Sequence, residues 1–356
     1  MHLCYSINDL SAMPAGISLL SFVENNPDYE PEEVFFVDFG IRPPSRRRLE
    51  AVAASYGKHI TYLQHKEVTD QIRRDFPHLH TWRGTMAPNA KAFMDRIVPG
   101  YVHRLLFIDA DTLVTDSLRE LADLDMGGAA VAAVPQGWDT QQIRQGRLRL
   151  CCDCDFYFNS GILLYDMDVW RREDCYSMVI DVLHKKKQFY SPDQTLLNNA
   201  IPGRLRKQLP LRYNHLTHHY HPKQELDNLR RWGVFSEEEI EGAIKHPAIV
   251  HFTGGDHHAR PWHEGCWSYR KEEYLRYKAL SPWKDVPLLP RERSLRPGLY
   301  GKGMRLYLWM ISRQPSTRLS NAVGYLNHLL LRIDRRMNWA LPSMAEGVES
   351  STPTLP

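Results

Sequence analysis

Residues 105–111 read Leu105-Leu106-Phe107-Ile108-Asp109-Ala110-Asp111, a run of large apolar side chains that stops abruptly at two carboxylates. Four such residues after His103-Arg104 read as a strand buried on both faces. Side chains two apart on a strand share a face, so the spacing places Asp109 and Asp111 together at the strand's carboxyl end. That end is where open α/β sheets bind ligands. Two carboxylates there repel unless a positive charge lies between them. A hard divalent cation with oxygen ligands meets that need.

Two other readings fit the stretch taken alone. In one, Asp109 ends the strand and Asp111 caps a turn through backbone amides. In the other, Asp-Ala-Asp-Thr-Leu-Val is similar to the nucleophile motif of haloacid-dehalogenase-type phosphatases. That motif belongs near an amino terminus and carries a Gly before the Thr, whereas here it starts past residue 100 without one.

Working outward, strand-like runs recur at Leu3–Ile7, Val34–Asp38, Ile60–Leu63, His103–Ile108, Ala129–Val134, Ser160–Tyr165 and Ala248–Phe252. Helical patterns separate them at Leu10–Glu24, Ser45–Tyr56, Asn89–Ile97, Met167–Lys187 and Pro192–Ala200, the last with Pro in its first turn. Ser236-Glu237-Glu238-Glu239 is a capping box that opens a helix before Pro247. Strands alternating with helices predict an α/β fold with a mostly parallel sheet flanked by helices. The chain has 356 residues, 43% of them apolar and 24% charged, as in ordinary globular proteins. No run reaches the roughly 18 apolar residues of a membrane span. The start lacks a basic stretch and a small-residue cleavage site, so the expected location is cytoplasmic. Six cysteines then read as reduced thiols, and Cys151, Cys152 and Cys154 as loop thiols rather than a zinc site. The absence of G-x-G-x-x-G and of a Walker A loop argues against dinucleotide and P-loop chemistry.

Three further islands carry chemistry. In Phe158-Asn159-Ser160-Gly161-Ile162-Leu163-Leu164, the small Ser160 and Gly161 let something approach the backbone where a strand begins. Asn159 offers a donor and an acceptor suited to a sugar hydroxyl. A polar turn before a buried strand explains the same residues. In Ser191-Pro192-Asp193-Gln194, the first helical turn carries an acid, which the helix dipole alone would favour, followed by an unexplained amide. In Ile249-Val250-His251-Phe252-Thr253-Gly254, His251 ends an apolar strand and can supply a nitrogen ligand or sit as a bonded core histidine. Arg260 adds a fixed fork that suits phosphate.

In this order and spacing the islands resemble family 8 of the retaining glycosyltransferases, which includes bacterial lipopolysaccharide galactosyl- and glucosyltransferases and glycogenin. The resemblance covers roughly residues 1–270. It rests on Asp109-Ala110-Asp111, Asn159-Ser160-Gly161-Ile162-Leu163-Leu164, Asp193-Gln194 with Leu197-Asn198, and His251 to His263. It implies a GT-A catalytic domain over residues 1–270 and a nucleotide-sugar donor, usually UDP-Gal or UDP-Glc, with Mn²⁺ or else Mg²⁺. Asp109, Asp111 and His251 match the metal ligands. Asn8, Asp9, Lys91, Ala110, Asn159, Ser160, Gly254 and Arg260 match donor-binding positions. Asp193 matches a carboxylate that holds sugar hydroxyls, and Gln194 the residue beside the anomeric carbon. An amide is a poor nucleophile, which favours front-side attack with Gln194 stabilising an oxocarbenium-like centre. The acceptor is expected to be a saccharide or glycolipid such as lipopolysaccharide core.

The chain departs from the family in three places. Asn8-Asp9 stands where a paired Asp-Asp reads uracil, and Lys91 where an Arg is usual, which keeps the charge but loses the fork. The loop from Gly254 to Arg260 is long and carries His257 and His258, which either line the acceptor entrance or, as loop histidines more often are, are simply solvated. A phosphatase and a nucleotide-sugar-binding protein without transfer activity are the competing functions.

Residues 271–356 are expected to form a separate basic, amphipathic, helical extension. From Arg291 to Arg336, ten Arg and Lys face two acids, a net of +8 against +3 for the whole chain. Leu306, Tyr307, Leu308, Trp309, Met310 and Ile311 interleave with them. Basic residues mixed with Trp, Tyr and Leu suit a helix lying on an anionic membrane, here the cytoplasmic face of the inner membrane. A helical pair packed on the catalytic domain is the alternative. Nucleic acid is not an expected partner, because the apolar residues form blocks rather than isolated stacking platforms.

Overall fold

The central strands are apolar enough to be covered on both faces, and they are. In the computed structural model, β1 (His2–Ile7), β2 (Val34–Asp38), β3 (Ile60–Leu63), β4 (Arg104–Ile108), β6 (Val131–Ala133), β7 (Ile162–Asp166) and β8 (Arg206–Gln208) form a seven-stranded sheet in the order β3-β2-β1-β4-β7-β6-β8. A smaller sheet joins β5 (Thr112–Val114), β10 (Ile249–His251) and β9 (His215–Leu216) in the order β5-β10-β9. The structure describes residues 1–290 apart from 28, 30, 80, 82, 83, 188, 190, 218–221, 254–259, 267 and 269, with only the backbone at 222–225. Gly254, His257, His258 and the basic tail lie outside the described residues.

Strand alternation splits the main sheet between two cores. Leu3, Tyr5, Ile7, Phe36, Leu106 and Ile108 face the helix Ala12–Asn25 and the small sheet. Cys4, Phe35, Val37, Leu105 and Phe107 face the other way, toward Phe93, Val179 and Leu196. The sheet is mostly parallel, as expected, but β7 runs antiparallel to both β4 and β6. Antiparallel pairing lets the start of β7 lie beside the end of β4, so Asn159-Ser160-Gly161 adjoins Asp109: the Asp109 N–H donates to Gly161 O at 2.8 Å.

The strands Val34–Asp38 and Ile60–Leu63 and the helix Pro192–Ala200 fall where the sequence places them. The long helical pattern at Met167–Lys187 is two helices, Met167–Arg172 and Cys175–Lys185. Asp174 breaks it by adopting the left-handed region (φ 51°) and accepting from the Ser177 N–H. Asn89–Ile97 is mostly a 3₁₀ turn, Ala87–Phe93, with one α-turn after it, Met94–Ile97. The capping box is half made. Ser236 accepts from the Glu239 N–H, while the Glu239 carboxylate accepts from the Leu211 N–H at 2.8 Å instead of returning to Ser236.

The compact unit runs from Met1 to Arg291. Helix Lys271–Leu280 lies against Ala12–Asn25, where Asn25 Nδ2 donates to the Tyr277 hydroxyl at 2.6 Å. Gly16 leaves room for the Trp283 ring, which a β-carbon would meet at 2.3 Å. Among the described residues, no helix is long and apolar enough to cross a membrane.

Candidate active site

Asp109 and Asp111 converge, but not through strand alternation. Strand β4 ends at Ile108, and Asp109-Ala110-Asp111 is the crossover from the large sheet to the small one. Asp109 is tied to β7 through its N–H, and Asp111 O accepts from the Phe252 N–H just past β10 at 2.8 Å. Thr112 Oγ1 donates to Asp109 O at 2.9 Å and closes the turn. The two carboxylates therefore meet at the seam between the sheets, each about a quarter exposed. Strand β10 delivers His251 to the same seam from the other side. Nitrogen and oxygen atoms of Asp109, Asp111 and His251 all lie within 4.8 Å of one another, and among the described residues this is the one group arranged to hold a metal.

Backbone donors set the polarity of the surrounding hydrogen bonds. The Gly161 N–H can only donate, so the atom 2.9 Å away is Asn159 Oδ1. That oxygen also accepts from Asn214 Nδ2 at 2.8 Å, which leaves Asn214 Oδ1 to accept from His251 Nδ1 at 2.9 Å. With the proton on Nδ1 turned to Asn214, His251 directs Nε2 at the carboxylates, 3.1 Å from Asp111 Oδ1 and 4.0 Å from Asp109 Oδ2: an imidazolium donates there, and the neutral Nδ1–H tautomer offers a lone pair to a cation. Two carboxylates and an imidazole oriented by Asn214 form a donor set that fits a divalent metal.

The close approach that Gly161 permits is made by His251, not by a ligand. A β-carbon at residue 161 would lie 2.1 Å from His251 Cε1 and 2.6 Å from Nδ1. Asn214, which orients the imidazole, was not legible as a functional residue. It sits in a 3₁₀ turn, Leu211–Asn214, with no motif around it.

Lys91 is 1% exposed and lies between Asp109 and the helix Pro192–Ala200. Its Nζ is 2.8 Å from Asp109 Oδ1, 3.0 Å from Asp193 Oδ2 and 3.0 Å from Ser160 O. Burial alone would lower its pKa, but the two carboxylates outweigh burial and raise it. Burial raises Asp109; Lys91 opposes this, the neighbouring Asp111 charge adds to it, and the carboxyl is pushed up to about 6. Burial acts the same way on Asp111, but His251 and then Arg260 outweigh it and lower that carboxyl to about 2. Arg260 also stands 5.8 Å from the Trp262 ring.

Asp193 accepts from Ser160 Oγ at 2.7 Å. Gln194 is 9% exposed, with its carbonyl oxygen accepting from Asn159 Nδ2 at 3.0 Å and from the Ser160 N–H at 3.2 Å. Its NH₂ donates to Gln136 Oε1 at 2.8 Å, a third partner that sequence spacing gave no sign of. Behind them a cavity of about 220 Å³ is walled by Trp138, Trp232, Phe235 and Leu229, with Gln136 and Asp139 on its polar side. Asn8 and Asp9 sit at the carboxyl end of β1, where the Arg42 N–H and guanidinium both donate to the Asp9 carboxylate. Burial raises Asp9, while Ser45 and Arg42 lower it, and the net shift is downward. Lys91, Asn159, Ser160, Asp193 and Gln194 are thus gathered with Asp109, Asp111 and His251, while Asn8 and Asp9 follow β1, whose parallel neighbour β4 leads into Asp109.

A mixed sheet with an aspartate pair at the seam of a second, smaller sheet is the arrangement that the resemblance to GT-A enzymes implies. The comparisons name the branch: residues 2–266 match the pattern that defines glycosyl transferase family 8, and the chain belongs to that family. It is an enzyme of glycosyl transfer, which decides against the phosphatase and the inactive binding protein. General stress protein A of Bacillus subtilis is 26% identical over 80% of this chain and 96% of its own length. The lipopolysaccharide 1,2-glucosyltransferase of Escherichia coli is 25% identical over 80% of this chain and 79% of its own. The fold matches the crystal structure of galactosyltransferase LgtC in complex with donor and acceptor sugar analogues, with TM-score 0.63 and 21% identity over 79% of this chain and 96% of that one.

Proposed function

We propose that this chain is a retaining hexosyltransferase that uses a divalent metal to move a hexose from a nucleotide sugar to a saccharide or glycolipid acceptor. The observation that carries the reading is the cluster of Asp109, Asp111 and an Nδ1-protonated His251 beside Asp193 and Gln194. These three would hold Mn²⁺, with Mg²⁺ the second choice. A metal bound there supplies positive charge to the diphosphate and so favours departure of the nucleotide. Arg260 adds charge at the phosphates, and Asn8 and Asp9 take the base end. Asn159, Ser160 and Asp193 hold sugar hydroxyls, and the Gln194 amide faces the anomeric carbon.

The donor is UDP-galactose or UDP-glucose, and the acceptor a lipopolysaccharide-core saccharide. The E. coli relative is a lipopolysaccharide 1,2-glucosyltransferase, and a Salmonella typhimurium lipopolysaccharide 1,3-galactosyltransferase is 23% identical over 81% of this chain. The walled cavity beside Gln194 suits the acceptor, with indole faces for a sugar's apolar side. The basic tail would keep the enzyme at the cytoplasmic face of the membrane that carries such acceptors. Asp111→Ala tests the core of the reading. It should retain the fold, lose Mn²⁺-dependent UDP binding in calorimetry and release no UDP from either donor. Near-normal turnover in that variant overturns the metal assignment.

A further inference from the structure

Gln194 is held from two sides, and the hold continues beyond its immediate partner. The Ser160 N–H fixes the Gln194 carbonyl oxygen on the β7 side, so the amide nitrogen must point toward Gln136. Gln136 Nε2 in turn donates to Asp139 Oδ2 at 2.7 Å. An ionised carboxylate only accepts, so Asp139 forces Gln136 to turn its NH₂ that way and its carbonyl toward Gln194. The three side chains form a relay with one polarity. Were Gln136 to rotate by half a turn, two NH₂ groups would face each other and the Gln194 amide would be expelled.

The relay rests on rigid elements. Gln136 is the residue before helix Gly137–Arg144, and its N–H donates to Tyr157 O at 2.7 Å. Asp139 lies in the first turn of that helix. Gly137 between them has no room for a side chain, because a β-carbon would meet the Trp232 ring at 2.4 Å. Trp138, Trp232 and Phe235 wall the cavity on which Gln136 and Asp139 border.

We propose that Gln136 and Asp139 are positioning residues: Asp139, acting through Gln136, fixes the plane of the Gln194 amide at the reacting carbon. This rests on the reading of Gln194 as the residue beside the anomeric carbon. A side chain placed wrongly by about an ångström costs on the order of a hundredfold in rate, and the loss should appear in kcat rather than in donor binding.

The test measures UDP release from UDP-galactose and UDP-glucose by the full-length Mn²⁺-loaded enzyme. Asp139→Leu removes the acceptor at similar volume and should lower kcat by about tenfold or more, with donor KM and Mn²⁺-dependent UDP affinity unchanged. Asp139→Asn keeps an acceptor oxygen and should return kcat to within about threefold of the parent. Gln136→Leu should lose as much as Asp139→Leu, and the double variant no more than either. The unchanged UDP affinity certifies that each variant is folded. Equal kcat in Asp139→Leu and the parent, or equal losses in Asp139→Leu and Asp139→Asn, overturns the proposal. Gln194→Ala separates the two levels. Full activity in that variant removes the reading of Gln194 itself, whereas a large loss there with Asp139→Leu unaffected removes only the relay.

Discussion

Replacing Lys91 by Met keeps the length of the side chain and removes the one ammonium between Asp109 and Asp193. The two contacts, at 2.8 and 3.0 Å, are each worth on the order of 6 kcal/mol gross at an effective dielectric of about 20. Desolvating a lysine that is 1% exposed offsets most of that. What remains when one partner of a buried ion group is deleted is about 3–5 kcal/mol, because Asp109 and Asp193 are left facing each other without a counter-charge. The raised lysine pKa means its contribution is complete below the unfolded value of 10.5 and is lost only at higher pH. The effect should therefore be full above pH 7 and shrink below about 6, where Asp109 takes up a proton. Urea unfolding in chelator should show a loss of about 3–5 kcal/mol. Saturating Mn²⁺ should recover part of it, since the metal neutralises Asp109, and Lys91→Met with Asp193→Asn should recover more by removing the second charge. A loss below about 1 kcal/mol in chelator, the scale of an exposed pair, refutes the reasoning. So does a double variant no more stable than the single one.

Gly161→Ala should push His251 off its line and weaken Mn²⁺ binding by roughly 10–100-fold, as loss of an orienting partner does; calorimetry showing parental affinity would contradict the contact. Asp109, held up to about 6, keeps a proton that the unfolded chain sheds near 3.8, so below pH 6 metal binding must expel that proton. Mn²⁺ affinity should fall as pH drops from 6 to 5 and stay level above 7, with proton release measured by calorimetry in buffers of different ionisation enthalpy. Removing residues 291–356 should release the enzyme from anionic vesicles and leave UDP binding intact; equal sedimentation of full-length and truncated protein would sink the membrane proposal.

The fold was legible where punctuation bounds an apolar pattern. Pro192 opens one helix, and Asp38 closes β2. It was illegible where a polar residue takes an unusual backbone state, as at Asp174, or where a strand is three polar residues long, as in Arg206–Gln208. The aspartate pair, His251, Asp193 and Gln194 stood out in the sequence because short motifs carry them in the order that resembles family 8. The structure brings them together, though by an inter-sheet crossover rather than by strand pleat. Asn214, Gln136 and Asp139 were not legible, because each works through a partner more than fifty residues away in sequence or through a chain of amides that carries no local signature.

Those amides explain how one short segment commands both halves of the site. The N–H groups of Ser160 and Gly161 are donors whatever the state of the enzyme. From Gly161 the polarity runs through Asn159 and Asn214 to His251, and turns Nε2 toward the carboxylates. From Ser160 it runs through Gln194 and Gln136 to Asp139, and leaves the Gln194 oxygen on the β7 side. Asn159 bridges the two branches by accepting in one and donating in the other. The orientation of the His251 ring and the face of the Gln194 amide are thus set by two adjacent peptide groups at the mouth of β7. Antiparallel insertion of that strand beside β4 places them within reach of both. A substitution that shifted this backbone would displace His251 and the Gln194 amide together, whereas Asn214 acts first on the His251 branch and Asp139 first on the Gln194 branch.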